Sequence, residues 1–151
     1  MISVFFNSFL IVLLFTPFGL FLSKKKQINL YYFSKQLIYG LIIISFIALF
    51  LNFFVPLDQR INTLILIIPT ILILINFRTY FNKIFILFLI ISSLIVFILI
   101  LESNVYRPDA GLYHLPYIKI INDEKIIFGL SNFHFRYAHI SIIQYLAAIS
   151  N

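Results

Sequence analysis

Four long stretches of this 151-residue chain contain no Asp, Glu, Lys or Arg. A helix of about 20 apolar residues crosses the ~30 Å hydrocarbon core of a bilayer, and only helices or closed barrels satisfy their backbone groups in lipid. Because the runs are continuous and not alternating, helices are favoured over barrel strands. The sequence therefore predicts an all-α, polytopic bundle of four transmembrane helices. They cover about residues 2–22, 36–56, 61–77 and 84–101.

Composition excludes most other classes of protein. Hydrophobic residues make up 62% of the chain and charged residues 11%, whereas a soluble domain has about 45–50% and 25%. A water-soluble fold of about 150 residues still exposes roughly 30% of its surface, so an ordinary cytosolic enzyme and a disordered chain are excluded. The absence of cysteine excludes a disulfide scaffold, a thiolate metal site and a thiol nucleophile.

The charges indicate how the helices are oriented. One predicted side of the membrane carries six basic and no acidic residues, and the other carries five basic and all five acidic residues. Cytoplasmic loops carry the excess of Lys and Arg, so the N-terminus and residues 102–151 are expected outside. The net charge of +6 does not indicate a nucleic-acid partner, since the basic residues flank apolar runs. The six cytoplasmic residues are Lys24, Lys25, Lys26, Lys35, Arg78 and Lys83.

The residues after the four predicted helices are richer in acidic residues and histidine than the rest of the chain. Residues 102–151 hold four of the five acidic residues and all three histidines, and they form a second segment after the helices of residues 1–101. Its amphipathic helix is expected to turn Tyr117, Ile118 and Ile121 towards the bilayer. The pattern predicts a loop at 102–111, that helix at about 115–124, a loop around Gly129 and the start of a last helix near Ala138.

Asp109 is the first candidate for chemistry. It lies between Pro108 and the small pair Ala110-Gly111, a turn composition that projects a short carboxylate from a constrained loop. Such a carboxylate at the membrane surface can act as a general base on a hydroxyl group. It can equally be a solvated loop charge or a helix cap, and composition alone leaves these roles open.

The residues around Asp109 resemble a known segment. The strings Asp109-Ala-Gly-Leu-Tyr-His-Leu-Pro116 and Gly129-Leu-Ser-Asn-Phe-His-Phe-Arg136, with Glu124 between them, resemble the pattern D-[SA]-G-L-Y-H-L-P … E … G-L-x-N-L-H-x-R-F-G. That pattern occurs in a family of uncharacterised bacterial polytopic membrane proteins. The family in turn resembles the GT-C class of membrane glycosyltransferases, which use polyprenyl-phosphate-linked sugars. This chain departs from the pattern at Phe133 and at Tyr137-Ala138, and no charged group changes.

The resemblance implies roles for individual residues. Asp109 would be the catalytic base, since the class places an aspartate in an early extracytoplasmic loop. Arg107 and Arg136 would bind phosphate, because a guanidinium holds two oxygens at once. His114 and His134 would hydrogen-bond the sugar, the phosphate or Asp109. Glu124 belongs to the same set of substrate-binding candidates.

The resemblance also implies a location and an activity. The protein would lie in the bacterial inner membrane and move a sugar from a polyprenyl-phosphate donor to an extracytoplasmic acceptor, in surface polysaccharide or glycolipid assembly. Enzymes of the class are much longer, so the chain is expected to be an N-terminal part, glycosyltransferase-like only at full length.

Each candidate residue has a structural alternative. The two arginines are also suited to mark the headgroup boundary, where long side chains reach the interface. His114 with Tyr113 and Tyr117 is also typical of an interfacial aromatic belt. Glu124 lies in the polar run Asn122–Lys125, which is typical of a solvated helix end.

The sequence also bears on metal binding and on two alternative functions. His134 and His139 are five residues apart and cysteine is absent, so no zinc site is expected. A divalent cation held by Asp109, Glu124 and phosphate stays open as a cofactor, because its ligands would be oxygens. One alternative function is a non-catalytic membrane module. The other is a component of a lipid-linked oligosaccharide transporter or polymerase, which the lack of ionisable residues within the predicted helices disfavours.

Overall fold

The computed structural model describes residues 2–21, 29–102, 110–132, 135–138 and 141–149. Every regular element in these ranges is helical, which confirms the all-α class. The α-helices are α1 (Ile2–Phe15), α2 (Leu30–Asn52), α3 (Gln59–Ile75), α4 (Phe77–Tyr80), α5 (Lys83–Glu102), α6 (Leu115–Asp123) and α7 (Ile142–Ile149). Tighter turns lie at Thr16–Phe21, Leu130–Asn132 and Phe135–Ala138, and a wider π-type turn lies at Ala110–His114.

Within the described ranges two helices, α2 and α5, are long and apolar enough to cross a membrane. They have 23 and 20 residues, with mean hydropathies of 1.9 and 3.4. Of the four predicted spans, these two reach the length that a crossing requires, and the helices at Val4–Gly19 and Gln59–Ile75 are apolar but shorter. The α-helical part of α1 ends after 14 residues, because Pro17 offers no backbone N–H and clashes with the preceding turn. The 17 residues of α3 extend about 25 Å, which is shorter than the hydrocarbon core.

The helix ends follow local capping rules. α2 begins six residues before the predicted start at residue 36, because the Asn29 side chain accepts the backbone N–H of Tyr32 at 2.9 Å. Lys35 therefore lies within the helix, with its ammonium 5.3 Å from the centre of the Tyr39 ring, a cation–π arrangement. Asp58 begins α3 in the same way, accepting the backbone N–H of Ile61 at 2.9 Å.

The chain forms two compact units, which are described separately. The first unit comprises residues 1–43 and 66–104, and the second comprises residues 44–65 and 105–151. In the first unit α1 packs along α5. Its apolar core consists of Val12, Phe33, Ile73, Tyr80, Phe85 and Leu89.

Two glycines of the first unit allow backbones to touch. A Cβ atom on Gly40 would collide with the carbonyl oxygen of Phe15, and one on Gly19 would collide with that of Gln36. Small residues at such contacts let helices approach closely, as is common in membrane proteins. The segment that follows α1 is therefore held directly against α2.

We expect Gly40→Ala to lower the stability of the first unit by about 2 kcal/mol, because overpacking of a close contact typically costs 1–3 kcal/mol. The obstacle is the backbone of Phe15, which cannot rotate away as a side chain can. Thermal unfolding of the protein in detergent measures the loss. Gly111→Ala is the matched control, since nothing lies within 4 Å of a Cβ atom there. An unchanged melting temperature for Gly40→Ala would contradict this contact.

The outer faces of α3 and α5 are strongly apolar. Only 17% of the apolar stretch of α5 is buried inside the protein. Side chains such as Leu74 and Leu99 are about two-thirds exposed. Large contiguous apolar surfaces mark contact with a membrane or another protein, so the helices have the surface that lipid contact requires.

The second unit contains α6 and α7, which pack together. α6 agrees with the predicted amphipathic helix to within one residue. Its expected orientation is wrong, because Tyr117 and Ile121 are buried within the protein and Ile118 is half-buried. The apolar stripe of α6 is used against the rest of the second unit and does not face lipid.

Candidate functional site

Asn52, the last residue of α2, joins the end of that helix to the end of α6. Its side-chain amide is buried, and Nδ2 donates to the carbonyl oxygens of Ile121 at 3.2 Å and Glu124 at 3.0 Å. A third, longer contact runs from Nδ2 to the carbonyl oxygen of Val55 at 3.3 Å. In return, the carbonyl oxygen of Asn52 accepts the backbone N–H of Ile126 at 2.8 Å. The segment that carries Glu124 is thereby fixed to the end of α2.

A second buried amide joins α3 to α7. Nδ2 of Asn62 donates to the carbonyl oxygens of Leu57 and Ala148, both at 2.9 Å. The amide nitrogen of Asn122, in the orientation that satisfies its neighbours, faces the same two oxygens at 3.1 and 3.3 Å. The backbone N–H of Leu57 also donates to the carbonyl oxygen of Ile121 at 3.0 Å. These bonds join Leu57, α3 and α7 to one another and to α6 within the second unit.

A cavity of about 400 Å³ lies within the second unit, beside Asn52. It is bounded by the end of α2, by α6, by residues 124–131 and by two tyrosines of the last part of the chain. Most of its wall is apolar. The polar and aromatic side chains that line it are Asn52, Tyr117, Glu124, Lys125, Ser131, Tyr137 and Tyr145.

Three tyrosines form one wall of this cavity. The ring centres of Tyr117 and Tyr137 are 5.8 Å apart. The Tyr145 side chain is fully buried, and apart from the neighbouring Tyr117 phenol its hydroxyl has no hydrogen-bond partner in the described ranges. Burial raises the pKa of both Tyr117 and Tyr145, and the nearby Tyr117 phenol raises the pKa of Tyr145 further. These hydroxyls therefore stay neutral and cannot act as bases.

Glu124 and His114 lie at opposite ends of α6. The exposed Glu124 follows the last residue of the helix and lines the cavity. The exposed His114 precedes the first residue, with its ring centre 4.2 Å from that of Tyr113. Ten residues of helix separate their positions by about 15 Å. The two side chains therefore cannot act on the same atom of a small ligand.

The other predicted site residues are not placed by the structure. Asp109, Arg107 and His134 lie outside the described residues. Arg136 belongs to the turn Phe135–Ala138, but the position of its side chain is also outside what is described. Within the described ranges, no three His, Asp or Glu residues form a group that could hold a metal ion.

The residues that build this site were missed in the sequence. Asn52 and Asn62 carry no motif, because each bonds to carbonyl groups far along the chain. Gln144 did have a signal: Ser141-Ile-Ile-Gln144 has the form of a capping box. That pattern would have placed the start of the last helix at Ile142, where it is found, and not near Ala138.

Over the residues that the structure describes, the fold and the site define an all-helical protein with two helices long and apolar enough to cross a membrane and a partly polar cavity at the end of α2. Across residues 1–151 the chain matches the profile of a family described as a domain of unknown function, DUF8201, and it belongs to that family. No curated protein and no solved structure matches the chain.

Proposed function

We propose that the protein is a membrane glycosyltransferase of the GT-C type, or the N-terminal part of one. It would transfer a sugar from a polyprenyl-phosphate donor to a hydroxyl-bearing acceptor on the extracytoplasmic side. The motif segment is the stretch 109–136 that carries the resemblance. The observation that carries the proposal is the attachment of its residues 121–126 to the end of α2, next to the cavity. Asn52 makes that attachment through Ile121 and Glu124. A substrate with a lipid anchor and a polar head needs such a position at the end of a membrane helix.

The proposed reaction needs little acid catalysis, because a lipid phosphate is a good leaving group. The acceptor oxygen forms a bond to the anomeric carbon of the sugar and gives its proton to Asp109. The bond from that carbon to the phosphate oxygen breaks, and the electron pair stays on the phosphate. Arg107 and Arg136 would stabilise the phosphate charge through paired hydrogen bonds. Glu124, at the edge of the cavity, would bind sugar hydroxyl groups.

The direct test is transfer by the full-length protein in isolated membranes. Polyprenyl-phosphate sugars carrying radiolabel in the sugar are supplied, and the label is followed into extracted glycolipid and polysaccharide. We expect label in an acceptor fraction only in membranes that contain the protein. Failure with every donor sugar, in membranes where the folded protein is present, would contradict the proposal.

We also propose that α1 and α3 cross the membrane together with α2 and α5. The 3₁₀ turn Thr16–Phe21 extends the apolar segment of α1, and the exposed side of α3 is rich in Leu and Ile. A short span is accommodated by local thinning of the bilayer at modest cost. Four spans put residues 102–151 outside a bacterial inner membrane.

Reporter fusions test this topology. Alkaline phosphatase fused after Glu102 is expected to be active, because the enzyme folds only outside the cytoplasm. The same reporter fused after Lys25 is expected to be inactive and serves as the matched control. Green fluorescent protein at the two positions should give the opposite pattern. Phosphatase activity after Lys25 and not after Glu102 would reverse the proposed orientation.

A further inference from the structure

Gln144 has its side-chain orientation fixed by the start of α7. Its carbonyl oxygen Oε1 accepts the backbone N–H of Ser141 at 3.0 Å, while Oγ of Ser141 accepts the backbone N–H of Ile143 at 3.3 Å. This pair of bonds is a variant of the capping box, in which Oγ of Ser141 accepts from the second helical residue and not from the third. Because Oε1 accepts the Ser141 N–H, the positions of the amide oxygen and the amide nitrogen can be told apart. The amide nitrogen Nε2 must occupy the other position.

That nitrogen lies against the ring of His114. Nε2 of the buried Gln144 is 3.3 Å from Nδ1 of His114. An amide NH₂ group can only donate, so Nδ1 has to accept. A neutral imidazole whose Nδ1 accepts carries its proton on Nε2. The capping box thus determines, through Gln144, which nitrogen of His114 is protonated.

The second nitrogen of His114 is open. The ring is exposed, and Nε2 of His114 has no partner in the described ranges. Neither the turn Ala110–His114 nor the first turn of α6 carries an acidic residue. Among the described residues no carboxylate is bonded to the ring, so an N–H in this position can donate to an oxygen anion.

We infer that Gln144 is a positioning residue that holds His114 in the Nε2–H form, and that this N–H donates to a phosphate oxygen of the bound lipid substrate. The identity of the lipid rests on the proposed function. The fixed protonation state rests only on the contacts of Gln144. An imidazole held in this way offers a donor at any pH at which it is neutral, with no reorganisation when the substrate arrives.

Nitrogen NMR tests the first half of the inference. Histidine labelled with ¹⁵N in both ring positions is incorporated into the protein in lipid nanodiscs, where only three histidines give signals. Substitution of each in turn assigns them. At pH 9, above the usual range of histidine titration, His114 is expected to show a bare Nδ1 and a protonated Nε2.

Gln144→Glu is the decisive variant. A Glu at this position keeps the capping box, so the fold is retained. Its remaining oxygen can only accept, which moves the proton of His114 to Nδ1. We expect the two nitrogen shifts of His114 to exchange, while Gln59→Glu at the exposed start of α3 leaves them unchanged. The inference is overturned if His114 in Gln144→Glu still shows a protonated Nε2 and a bare Nδ1.

A ligand titration tests the second half. Farnesyl monophosphate, a short isoprenyl phosphate, is expected to shift the Nε2 signal of His114, and farnesol is not. Inorganic phosphate at the same concentration should have little effect. An equal shift from inorganic phosphate would overturn the lipid assignment in favour of a free anion, and no shift from farnesyl monophosphate would overturn the phosphate contact. None of these measurements needs sugar transfer, so a failure of the proposed activity and a failure of this inference can be told apart.

Discussion

Asp109→Asn is expected to abolish sugar transfer by the full-length protein while leaving it folded and in the membrane. The substitution keeps the shape of the side chain but removes its ability to accept a proton. General-base catalysis contributes about 10²–10⁴-fold to a rate, so turnover should fall at least 100-fold. The concentration of donor lipid that gives half-maximal rate should change much less, because the base acts on the acceptor. Radiolabelled transfer at saturating donor measures both quantities.

Asp123→Asn is the matched control for this prediction. Asp123 is the last residue of α6 and is exposed. It lies in the same segment and loses the same charge, so a general electrostatic effect would appear in both variants. Transfer should stay within about twofold of the wild type. Retained turnover in Asp109→Asn would remove Asp109 from the role of base, whatever Asp123→Asn does.

Helices bounded by charges were predictable from the sequence. The uncharged run 84–101 agrees with α5 to within one residue at each end, because the charged residues Lys83 and Glu102 bound the apolar run. The same rule placed the start of α2 too late. Lys35 is charged but lies inside α2, where two tyrosine rings cover its ammonium. A charge near a helix end can therefore be part of the helix.

A prediction from hydropathy alone also misplaced the end of α1, because it takes no account of the backbone. The run from residue 2 to residue 22 is apolar throughout, yet the α-helix ends at Phe15. Pro17 cannot donate the hydrogen bond that an α-helix needs. The hydroxyl of Thr16 turns back to the carbonyl oxygen of Val12 at 2.6 Å, and the chain tightens into the next turn. The sequence therefore predicted one continuous helix over residues 2–22, because apolar length was counted and helix continuity was not.

The site could be predicted only where it is local in sequence. The turn before α6 and the helix itself follow from Pro116 and the apolar spacing. The contacts of Asn52 join residues 69 and 72 positions apart, and no pattern within a single sequence reports them. The direction in which the Tyr117 side chain points depends on how α7 packs against α6, and this is again a contact between residues far apart in sequence. Expecting Tyr117 to face lipid was therefore reasonable from α6 alone and wrong in the folded chain.

Asn52→Leu is expected to destabilise the second unit by about 3 kcal/mol. Leucine fills a similar volume but donates no hydrogen bond. The carbonyl oxygen of Glu124 loses the Nδ2 donor, and that of Ile121 keeps only the N–H of Leu57. A buried polar group left without its partner costs about 1–3 kcal/mol. Thermal unfolding in nanodiscs measures the loss as a lower melting temperature.

Asn7→Leu is the matched control, because Asn7 is exposed on α1 in the first unit. It should leave the melting temperature of the second unit unchanged. A local readout separates loss of the hydrogen bonds from a general effect on packing. The backbone N–H of Ile126 donates to the carbonyl oxygen of Asn52, so its hydrogen exchange should accelerate in Asn52→Leu and not in Asn7→Leu.

Asn52→Asp separates shape from hydrogen-bond donation. Aspartate has nearly the same shape as asparagine, but an ionised carboxylate only accepts hydrogen bonds and would face the carbonyl oxygens of Ile121 and Glu124. We expect it to be at least as destabilising as leucine, because it adds repulsion and a buried charge. If Asn52→Asp and Asn52→Leu both kept the melting temperature and the slow exchange of Ile126, the amide would not hold the motif segment to α2. The proposal that this attachment forms the substrate site would then lose the observation that carries it.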